Sequence, residues 1–393
     1  MSNDDIVICS PVRTAIGAFN GSLRNCSAVD LGAAAIGAVM QRTALSPTEI
    51  DSVIMGNVVQ AGNKMNPGRQ AALHGGLPVS VPAYTVNRVC GSGAQAVISA
   101  TLELRAGLAE VAIAGGMENM DRAPYLLPEG RWGHRLGVAQ IYDSMLTDGL
   151  EDAFSGKHSG WHTEDLVQRL GIPREAQDEW AERSQSRFSQ AQNMGNFSAE
   201  IVSVTVPGKK GAFVFDKDEA VRADTNVSVL ARLRPAFRPD GTITAGNAPG
   251  LNSGASAMIV TKLAKANSLG IEPAARIAGI GVAAVEPAMF GLGPVPAIHR
   301  ALANAGWKIG NLQRVEINEA YAAVPLAVMA ETGLSPEIVN VEGGAIAHGH
   351  PIGATGAVLL TRLIHSMKRD GQSKGLVALC IGGGQGIAVA IEL

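Results

Sequence analysis

Residues 353–386 read GATGAVLLTRLIHSMKRDGQSKGLVALCIGGGQG, which is a glycine turn, an apolar helical stretch and a buried strand that ends in glycines. The same order occurs earlier, where residues 90–107 read CGSGAQAVISATLELRAG and a strand-like Val111 to Gly116 follows. A chance match between two glycine-rich and alanine-rich units is the alternative. The weak repeat predicts a duplicated core. If the halves pack about a pseudo-twofold axis, strand ends and helix starts from both converge on one cleft.

Across the rest of the chain, short β-branched runs alternate with longer stretches rich in alanine and leucine. Asp30 to Met40 and Gly93 to Arg105 read as helices, while Ile50 to Val58 and Val111 to Gly116 read as buried strands. This alternation is typical of a parallel sheet covered by helices. It predicts an α/β fold.

The segment from about residue 118 to residue 246 differs from its flanks, because charged residues, aromatic residues and prolines cluster in it. It includes an amphipathic stretch, rich in glutamine and arginine, from about Pro173 to Asn193. These features predict a large insertion laid over a two-layered core, where functional loops tend to lie.

The composition is that of an ordinary enzyme. A chain of 393 residues exceeds the usual size of one hydrophobic core, so two or more domains are expected. Only 17% of residues are charged and the net charge is -3, which argues against binding to nucleic acid or a membrane. No apolar run reaches the roughly 18 to 20 residues of a membrane span. No signal peptide is visible and the four cysteines form no disulfide framework, so a cytoplasmic protein is expected.

Cys90 lies at the start of a predicted helix, in the stretch Asn87-Arg88-Val89-Cys90-Gly91-Ser92-Gly93. The N–H groups and dipole of a helix start favour a thiolate, so the pKa of this thiol is expected to fall from about 8.5 towards neutrality. A neighbouring imidazole would complete the activation. We therefore predict a nucleophile at Cys90, whereas Cys9 and Cys26 are expected to be buried apolar side chains.

Two histidines lie in a third glycine turn, Gly343-Gly344-Ala345-Ile346-Ala347-His348-Gly349-His350-Pro351. His350 precedes a proline ahead of a helix, with its ring expected to point into a cleft, so it is a candidate catalytic base. His348 is expected to be an exposed bystander rather than its partner. No third ligand is spaced nearby, so no metal site is predicted.

Cys380 ends the apolar strand Leu376 to Leu379 and enters a turn with four glycines in five residues. Ligands bind at the carboxyl edge of parallel strands, so we predict a thiol acid or base beside N–H donors here. The turn lacks the Lys-Ser/Thr of a phosphate-binding loop, and only seven residues follow Gly386, too few for a dinucleotide-binding unit. Asn318, which follows a strand-like stretch, could hold a water or an oxyanion, or could simply cap a helix.

Four stretches resemble the active-site signatures of the thiolase family, the acetyl-CoA acetyltransferases and 3-ketoacyl-CoA thiolases. They are residues 86–93, 318–321, 343–351 and 380–386, and the resemblance covers essentially the whole chain. It implies a duplicated thiolase-like core, with two βαβαβαββ halves in a layered α-β-α-β-α arrangement. It also implies an N-terminal domain over residues 1–268, including the loop domain at about 118–246, and a C-terminal domain over residues 269–393.

The resemblance implies a ping-pong reaction between two acyl-CoA molecules. Cys90 would take the acyl group as a thioester after His350 activates its thiol. Cys380 would exchange a proton with the second substrate, acetyl-CoA, because a thiol pKa can be tuned near working pH. One oxyanion hole would comprise His350 and a water held by Asn318. Another would comprise the N–H groups of Cys90 and Gly382.

The resemblance also implies substrate contacts and partners. Arg222 matches a position near the CoA adenine, and His158 and Ser159 lie in a stretch similar to the pocket loop of the family. Coenzyme A thioesters would be substrates, and no cofactor would be permanently bound. A role in fatty acid metabolism is implied, as is a homo-oligomer, either a dimer or a homotetramer built as a dimer of dimers, with part of residues 120–145 as an assembly loop.

Five residues depart from the family pattern, and all bear on the pocket rather than on the catalytic groups. Ser159 stands where short-chain members usually carry methionine, and Tyr321 replaces a usual phenylalanine. The others are His162, Pro249 and His348. Ser159 and His162 could admit an acyl group longer or more polar than acetyl. Chain-length specificity and the direction of the reaction in the cell stay open.

Two alternative functions compete with this assignment. A decarboxylating condensing enzyme of the same fold, such as a ketoacyl synthase, usually pairs its cysteine with two histidines, or with a histidine and an asparagine. Cys380 in its glycine turn argues against that class. A catalytically inactive, CoA-binding protein of the thiolase fold is the second alternative, and the intact set of Cys90, Asn318, His350 and Cys380 argues against it.

Overall fold

The computed structural model describes residues 2–208 and 211–393, and its fold is mixed α/β as predicted. The strands are β1 (Ile6–Thr14), β2 (Gly17–Ala18), β3 (Ser52–Gly56), β4 (Ala83–Val86), β5 (Val111–Asn119), β6 (Tyr125–Leu126), β7 (Tyr142–Asp143), β8 (Ile201–Val202), β9 (Val204–Val206), β10 (Phe213–Phe215), β11 (Asn252–Lys262), β12 (Pro273–Ala284), β13 (Arg314–Ile317), β14 (Lys374–Ile381) and β15 (Gln385–Glu392). The α-helices are α1 (Ala28–Thr43), α2 (Pro67–His74), α3 (Ser92–Ala106), α4 (Ser159–Leu170), α5 (Arg174–Asn193), α6 (Val227–Leu230), α7 (Leu263–Leu269), α8 (Pro294–Ala305), α9 (Ala323–Thr332), α10 (Ala345–His348) and α11 (Thr355–Asp370). Within the described ranges, no helix combines the length and apolar character that crossing a membrane requires.

The order of strands in the central sheet confirms the duplicated core. The main path of the sheet runs β13-β14-β15-β12-β1-β11-β5-β3-β4. The main strands of the first half are β1, β3, β4, β5 and β11. Numbered 1 to 5 in this chain order, they lie side by side in the sheet in the order 1-5-4-2-3. The second half follows the same order, with Val339 bridging in parallel to Val315 of β13 in the place of its third strand. Antiparallel pairing of β1 with β12 joins the two halves.

The helices form three layers around the two halves of the sheet. Helices α1 and α2 pack on the outer face of the first half, and α8 and α9 pack on the outer face of the second half. Helices α3 and α11 lie between the halves, in a core shared by strands of both. The layers therefore follow the predicted α-β-α-β-α order.

The two helices of the repeat approach each other at glycines. A Cβ atom on Gly93 would lie 2.6 Å from the backbone nitrogen of Ala357, and one on Gly356 would lie 2.4 Å from that of Ala94. Neither position has room for a side chain, so glycine is required for the close approach of the backbones. As predicted, this contact brings the starts of α3 and α11 to one place.

Two predicted elements begin or end differently in the structure. Helix α1 begins after Ser27 rather than at Asp30, because Ser27 is the N-cap and Asp30 completes its capping box. The strand expected over Ile50 to Val58 covers only Ser52–Gly56. After Gly56 the chain leaves the sheet, and the N–H groups of Val58 and Val59 donate to Glu118.

The segment between β5 and β11 contains α4 to α6, and α5 coincides with the predicted amphipathic helix. Helix α5 packs against the glycine turns of the second half. Trp180 Nε1 donates to Glu319 Oε1 at 2.9 Å, and Ser184 Oγ donates to Glu319 Oε2 at 2.7 Å. Gln185 Nε2 donates to the Ile346 carbonyl at 2.9 Å. The inserted segment thus holds two of the signature stretches in place.

Candidate active site

A cavity of about 370 Å³ lies where the inserted segment meets the two halves of the core. Cys90, His350 and Gly382 line it, each from a different glycine turn. Cys380 and Asn318 are fully buried next to these residues. A larger open groove of about 790 Å³ along α1 contains none of these residues.

The turn before α3 holds Cys90 in a restricted conformation. Val89 has a φ of +44°, a left-handed value that a β-branched residue rarely adopts. The Ser92 hydroxyl donates to the Val89 carbonyl at 2.7 Å and fixes this conformation. A Cβ atom on Gly91 would lie 2.6 Å from Ile381 Cδ1, so Gly91 serves the close packing of this turn on the second half. This packing places the Gly382 amide beside the Cys90 thiol.

The environment of the Cys90 thiol differs from the expected one. The backbone N–H groups of Cys90 and Gly382 lower the pKa of the thiol, as predicted for an anion site. Burial nevertheless raises the pKa of the Cys90 thiol to about 11, so the predicted fall towards neutrality is wrong. The free-energy cost of removing a thiolate from water exceeds the stabilisation that these donors and the helix start provide. The thiol is therefore protonated at neutral pH and needs a base.

The hydrogen bonds of His350 define its tautomer. The Thr355 hydroxyl donates to the Pro351 carbonyl at 2.9 Å, so Thr355 Oγ1 accepts from His350 Nδ1 at 2.7 Å. Nε2 is then the unprotonated nitrogen, and the Asn318 amide donates to it at 3.3 Å. Burial lowers the pKa of His350 to about 4, which keeps the ring neutral. Nε2 can exchange the Asn318 amide for a proton, so the neutral imidazole can act as a base.

Cys380 is fully buried at the end of β14. Burial and the neighbouring Cys90 raise the pKa of the Cys380 thiol well above its ordinary value. The expectation of a pKa near working pH is therefore wrong. The thiol holds its proton, which suits donation to a carbanion before it suits removal of a proton.

Asn318 follows β13, and its backbone N–H donates to the Ala378 carbonyl of β14 at 2.9 Å. The side chain does not cap α9, which begins after Ala322, so the helix-cap alternative is wrong. The amide nitrogen is directed to His350 Nε2, while Oδ1 has no hydrogen-bond partner among the described residues.

His348 is fully buried, so the prediction of an exposed bystander is wrong. Its ring lies 5.7 Å from that of Phe188, a residue of the inserted helix α5 that covers this turn. Burial lowers the pKa of His348 well below its ordinary value. No group of three or more histidine, cysteine, aspartate or glutamate side chains that could hold a metal ion occurs within residues 2–208 and 211–393.

His158 and Ser159 form the start of α4 and line the cavity. His158 Nδ1 accepts from the Gly160 N–H at 3.0 Å, and its ring stacks on Phe237 with centroids 4.6 Å apart. Ser159 Oγ lies 2.8 Å from the Tyr321 hydroxyl oxygen, so the two departures from the family pattern contact each other. His162 and Pro249 also line this cavity.

Arg222 lies outside the cavity wall on the described surface. Its backbone N–H donates to Gln185 Oε1 at 2.7 Å, and its guanidinium lies 3.4 Å from the Ala245 carbonyl oxygen. The side chain is exposed, and a contact between Arg222 and an adenine stays a prediction.

The sequence reasoning missed Glu118, a fully buried residue at the end of β5. Its carboxylate accepts hydrogen bonds from the N–H groups of Val58, Val59 and Gly353 at 3.0, 3.3 and 2.9 Å. The Asn57 amide donates to it at 2.7 Å. Glu118 thereby ties the turn after His350 to the first half of the core. A charged residue inside an apolar strand was the available signal.

Comparisons with known proteins agree with this geometry. Residues 6–264 match the family described as "Thiolase, N-terminal domain" and residues 271–393 match "Thiolase, C-terminal domain". The acetyl-CoA acetyltransferase of Pseudomonas aeruginosa is 50% identical over 388 residues, 98% of this chain and 99% of that protein. The acetyl-CoA acetyltransferase of Escherichia coli is 50% identical over 387 residues, 98% of each. The crystal structure of the Bacillus anthracis acetyl-CoA acetyltransferase matches at TM-score 0.97 and 43% identity, covering 100% of both chains.

Proposed function

The chain belongs to the thiolase family, and we infer that it is an acetyl-CoA C-acyltransferase. It catalyses the reversible condensation of two acyl-CoA molecules, or the thiolysis of a 3-ketoacyl-CoA, through an acyl-cysteine intermediate. The observation that carries this function is that Cys90, the neutral His350 and Gly382, from three different glycine turns, line one cavity.

In the first half-reaction, His350 Nε2 accepts the proton of Cys90 and the thiolate attacks the thioester carbonyl of an acyl-CoA. Because the thiol pKa is raised, this transfer is needed at neutral pH. The N–H groups of Cys90 and Gly382 stabilise the oxyanion. The carbon–sulfur bond to CoA breaks, and the departing CoA thiolate takes the proton from His350.

In the second half-reaction, Cys380 serves as the acid or base. His350 Nε2 first accepts the Cys380 proton, and the resulting Cys380 thiolate removes an α-proton from acetyl-CoA. The carbanion attacks the acyl group on Cys90, and the Cys90 thiolate that this restores takes the proton back from His350. The enolate oxygen is stabilised by the Nε2–H group of the protonated His350 and by a water held by the free Oδ1 of Asn318. In the degradative direction the protonated Cys380 donates to the acetyl-CoA carbanion.

Replacing each active-site cysteine separates the two half-reactions. We expect Cys90→Ala to form no acyl-enzyme with acetyl-CoA, because it lacks the nucleophile. Cys380→Ala should still form the acyl-enzyme but lose carbon–carbon bond formation by about 10³-fold or more. Mass spectrometry of the intact protein after mixing with acetyl-CoA measures the first step, and acetoacetyl-CoA thiolysis measures the whole reaction. Cys26→Ala, which removes a buried thiol that does not line the cavity, is the matched control. An acyl adduct that persists in Cys90→Ala would overturn the assignment. If the chain were an inactive CoA-binding protein, neither the wild type nor any of these variants would form an adduct.

The finer properties of the enzyme are also proposals. We propose a cytoplasmic homo-oligomer that acts in fatty acid metabolism, as fits the family. The boundary between its two domains is placed between residues 268 and 269. Strand β4 lies at the free edge of the sheet, and the segment from residue 120 to residue 145 exposes Trp132, Leu136 and Val138 almost completely. Exposed apolar residues of this kind are typical of an association surface. Sedimentation velocity on a chain with this segment shortened measures its role, and thiolysis across 3-ketoacyl chain lengths measures specificity.

A further inference from the structure

Two hydroxyl groups in the cavity wall leave one hydrogen-bond donor unused. Ser159 Oγ and the Tyr321 hydroxyl lie 2.8 Å apart, and one donates its proton to the other. The remaining hydroxyl proton has no acceptor among residues 2–208 and 211–393. Tyr321 is 6% exposed and Ser159 is half-buried, so this proton lies in the cavity wall whichever hydroxyl carries it. An acceptor on a bound ligand can take this proton in place of water.

The pair lies where an acyl group attached to Cys90 would be held. Both Ser159 and Tyr321 line the same cavity as Cys90. Burial raises the pKa of the Tyr321 phenol, and the thiols Cys380 and Cys90 act in the same direction, so the phenol stays neutral and remains a donor.

The remaining wall distinguishes between an uncharged and an anionic acyl group. Met120, Phe290 and Ile352 supply apolar surface for a short carbon chain. The charged residues of the wall are Asp148, Glu151 and Asp152, and no lysine or arginine lines the described part of the cavity. An acyl group that ends in a carboxylate would meet these acidic residues without a compensating cation. A hydroxyl, which can both accept and donate, fits the pair.

We propose that the Ser159–Tyr321 pair is a specificity subsite that selects short acyl groups carrying a hydroxyl over alkyl groups of the same length. The proposal rests on the acyl transfer proposed above. The unused proton of the pair donates to the hydroxyl oxygen of the acyl group. An alkyl group of the same size leaves that donor unpaired, and a site built to bind a hydroxyl rejects such an analogue.

The test compares matched substrates in the first half-reaction. Glycolyl-CoA and propionyl-CoA differ by a hydroxyl in place of the terminal methyl group, as do 3-hydroxypropionyl-CoA and butyryl-CoA. In each case the acyl carbon–sulfur bond to CoA breaks, the bond to Cys90 Sγ forms, and the thiol proton leaves with CoA. Rapid quenching and mass spectrometry give the rate of acylation. We expect the hydroxyl member of at least one pair to react about tenfold faster or more, equivalent to one net hydrogen bond of about 1.4 kcal/mol.

Removing one hydroxyl at a time identifies the groups responsible. Tyr321→Phe keeps the ring and should lower the hydroxyl-to-alkyl rate ratio to about 1, and Ser159→Ala should lower it as well. Thr147→Val is the matched control for this ratio, because the Thr147 hydroxyl lines the cavity but already donates to neighbouring oxygens at 3.2 Å and 3.3 Å. The control should leave the ratio unchanged. If Tyr321→Phe does not fold, Ser159→Ala carries the same comparison.

The outcomes separate this proposal from the enzymatic function on which it rests. If acetyl-CoA itself does not acylate Cys90, the proposed function fails. If acetyl-CoA acylates Cys90 but neither hydroxyl substrate reacts faster than its alkyl counterpart, the subsite is overturned and the function stands. A preference for the hydroxyl that persists in both Tyr321→Phe and Ser159→Ala would also overturn the subsite.

Discussion

The ends of equivalent strands in the two halves carry different groups. In the first half, Asn57 follows β3 and Glu118 lies near the end of β5, and the amide of one donates to the carboxylate of the other at 2.7 Å. In the second half, Asn318 follows β13 and Cys380 lies near the end of β14. Both asparagines donate backbone N–H groups to a carbonyl of a neighbouring strand segment.

The difference lies in how completely these groups are satisfied. Glu118 accepts four hydrogen bonds within the protein, and both groups of the Asn57 side chain are used. Asn318 Oδ1 has no partner in the described structure, and Cys380 is a buried thiol. A saturated cluster stabilises the fold, whereas free polar atoms beside a cavity are available to a substrate. The duplication thus produced one structural and one chemical site from similar backbone.

Replacing His350, the base that accepts the Cys90 proton, should have the largest effect on the rate of acylation. We expect His350→Gln to slow acylation of Cys90 by about 10²- to 10⁴-fold, because the raised pKa of the thiol requires a base. Rapid-quench mass spectrometry with acetyl-CoA measures this rate. Thr355→Val, which removes only the acceptor for Nδ1, should have a smaller effect. A loss below about tenfold in His350→Gln would show that another group takes the Cys90 proton.

Replacing the two equivalent asparagines tests the comparison directly. Asn318→Ala should slow acetoacetyl-CoA thiolysis by about 10²-fold, the cost of one oxyanion-hole group, with a small change in the free energy of unfolding. Asn57→Ala should lower the free energy of unfolding by about 1–3 kcal/mol, because Glu118 loses a buried donor. Its thiolysis rate should stay within about tenfold of wild type. Urea denaturation and steady-state thiolysis measure both properties, and equal behaviour of the two variants would contradict the distinction.

The fold could be predicted largely from local pattern. The repeat of glycine turn, helix and strand at Cys90 and at Gly353 depends on sequence periodicity, and the structure confirms the duplication that it predicted. The antiparallel pairing of β1 with β12 could not be predicted in this way. It joins strands that are far apart in the chain, and no local spacing encodes which edges meet.

The candidate site could be predicted where residue type and backbone position suffice. The turns of Cys90, His350 and Gly382 meet at one cavity as the repeat implied. The pKa directions of the thiols and the burial of His348 could not be predicted, because both depend on what covers the turns. Phe188 lies in the inserted segment, more than a hundred residues from His348, and the depth of burial is a property of the assembled layers.

The remaining effects concern the saturated cluster, where they depend on pH. Burial raises the pKa of Glu118 to about 7 from its ordinary value of 4.5, so the native state binds more protons than the unfolded state between these values. The contribution of Glu118 to the free energy of unfolding is therefore fully present below pH 4.5 and is lost as pH rises to 7, by an amount on the order of 3 kcal/mol. Relative to wild type, Glu118→Gln should gain stability as pH rises from 5 to 8. Urea denaturation at several pH values measures this difference.

The same variant links the structural cluster to the chemical one. The charge of Glu118 also raises the pKa of the Cys90 thiol, so Glu118→Gln should shift the pH profile of Cys90 alkylation by iodoacetamide to lower pH. Glu331→Gln, an exposed residue of α9, is the control and should leave both profiles unchanged. The opposite contribution of His350, whose pKa is lowered to about 4 and which favours unfolding as pH falls from 6.5, is common to all three proteins and cancels in the difference. A stability difference that does not change with pH would mean that Glu118 is ionised throughout, and that the first half of the core tolerates a buried charge.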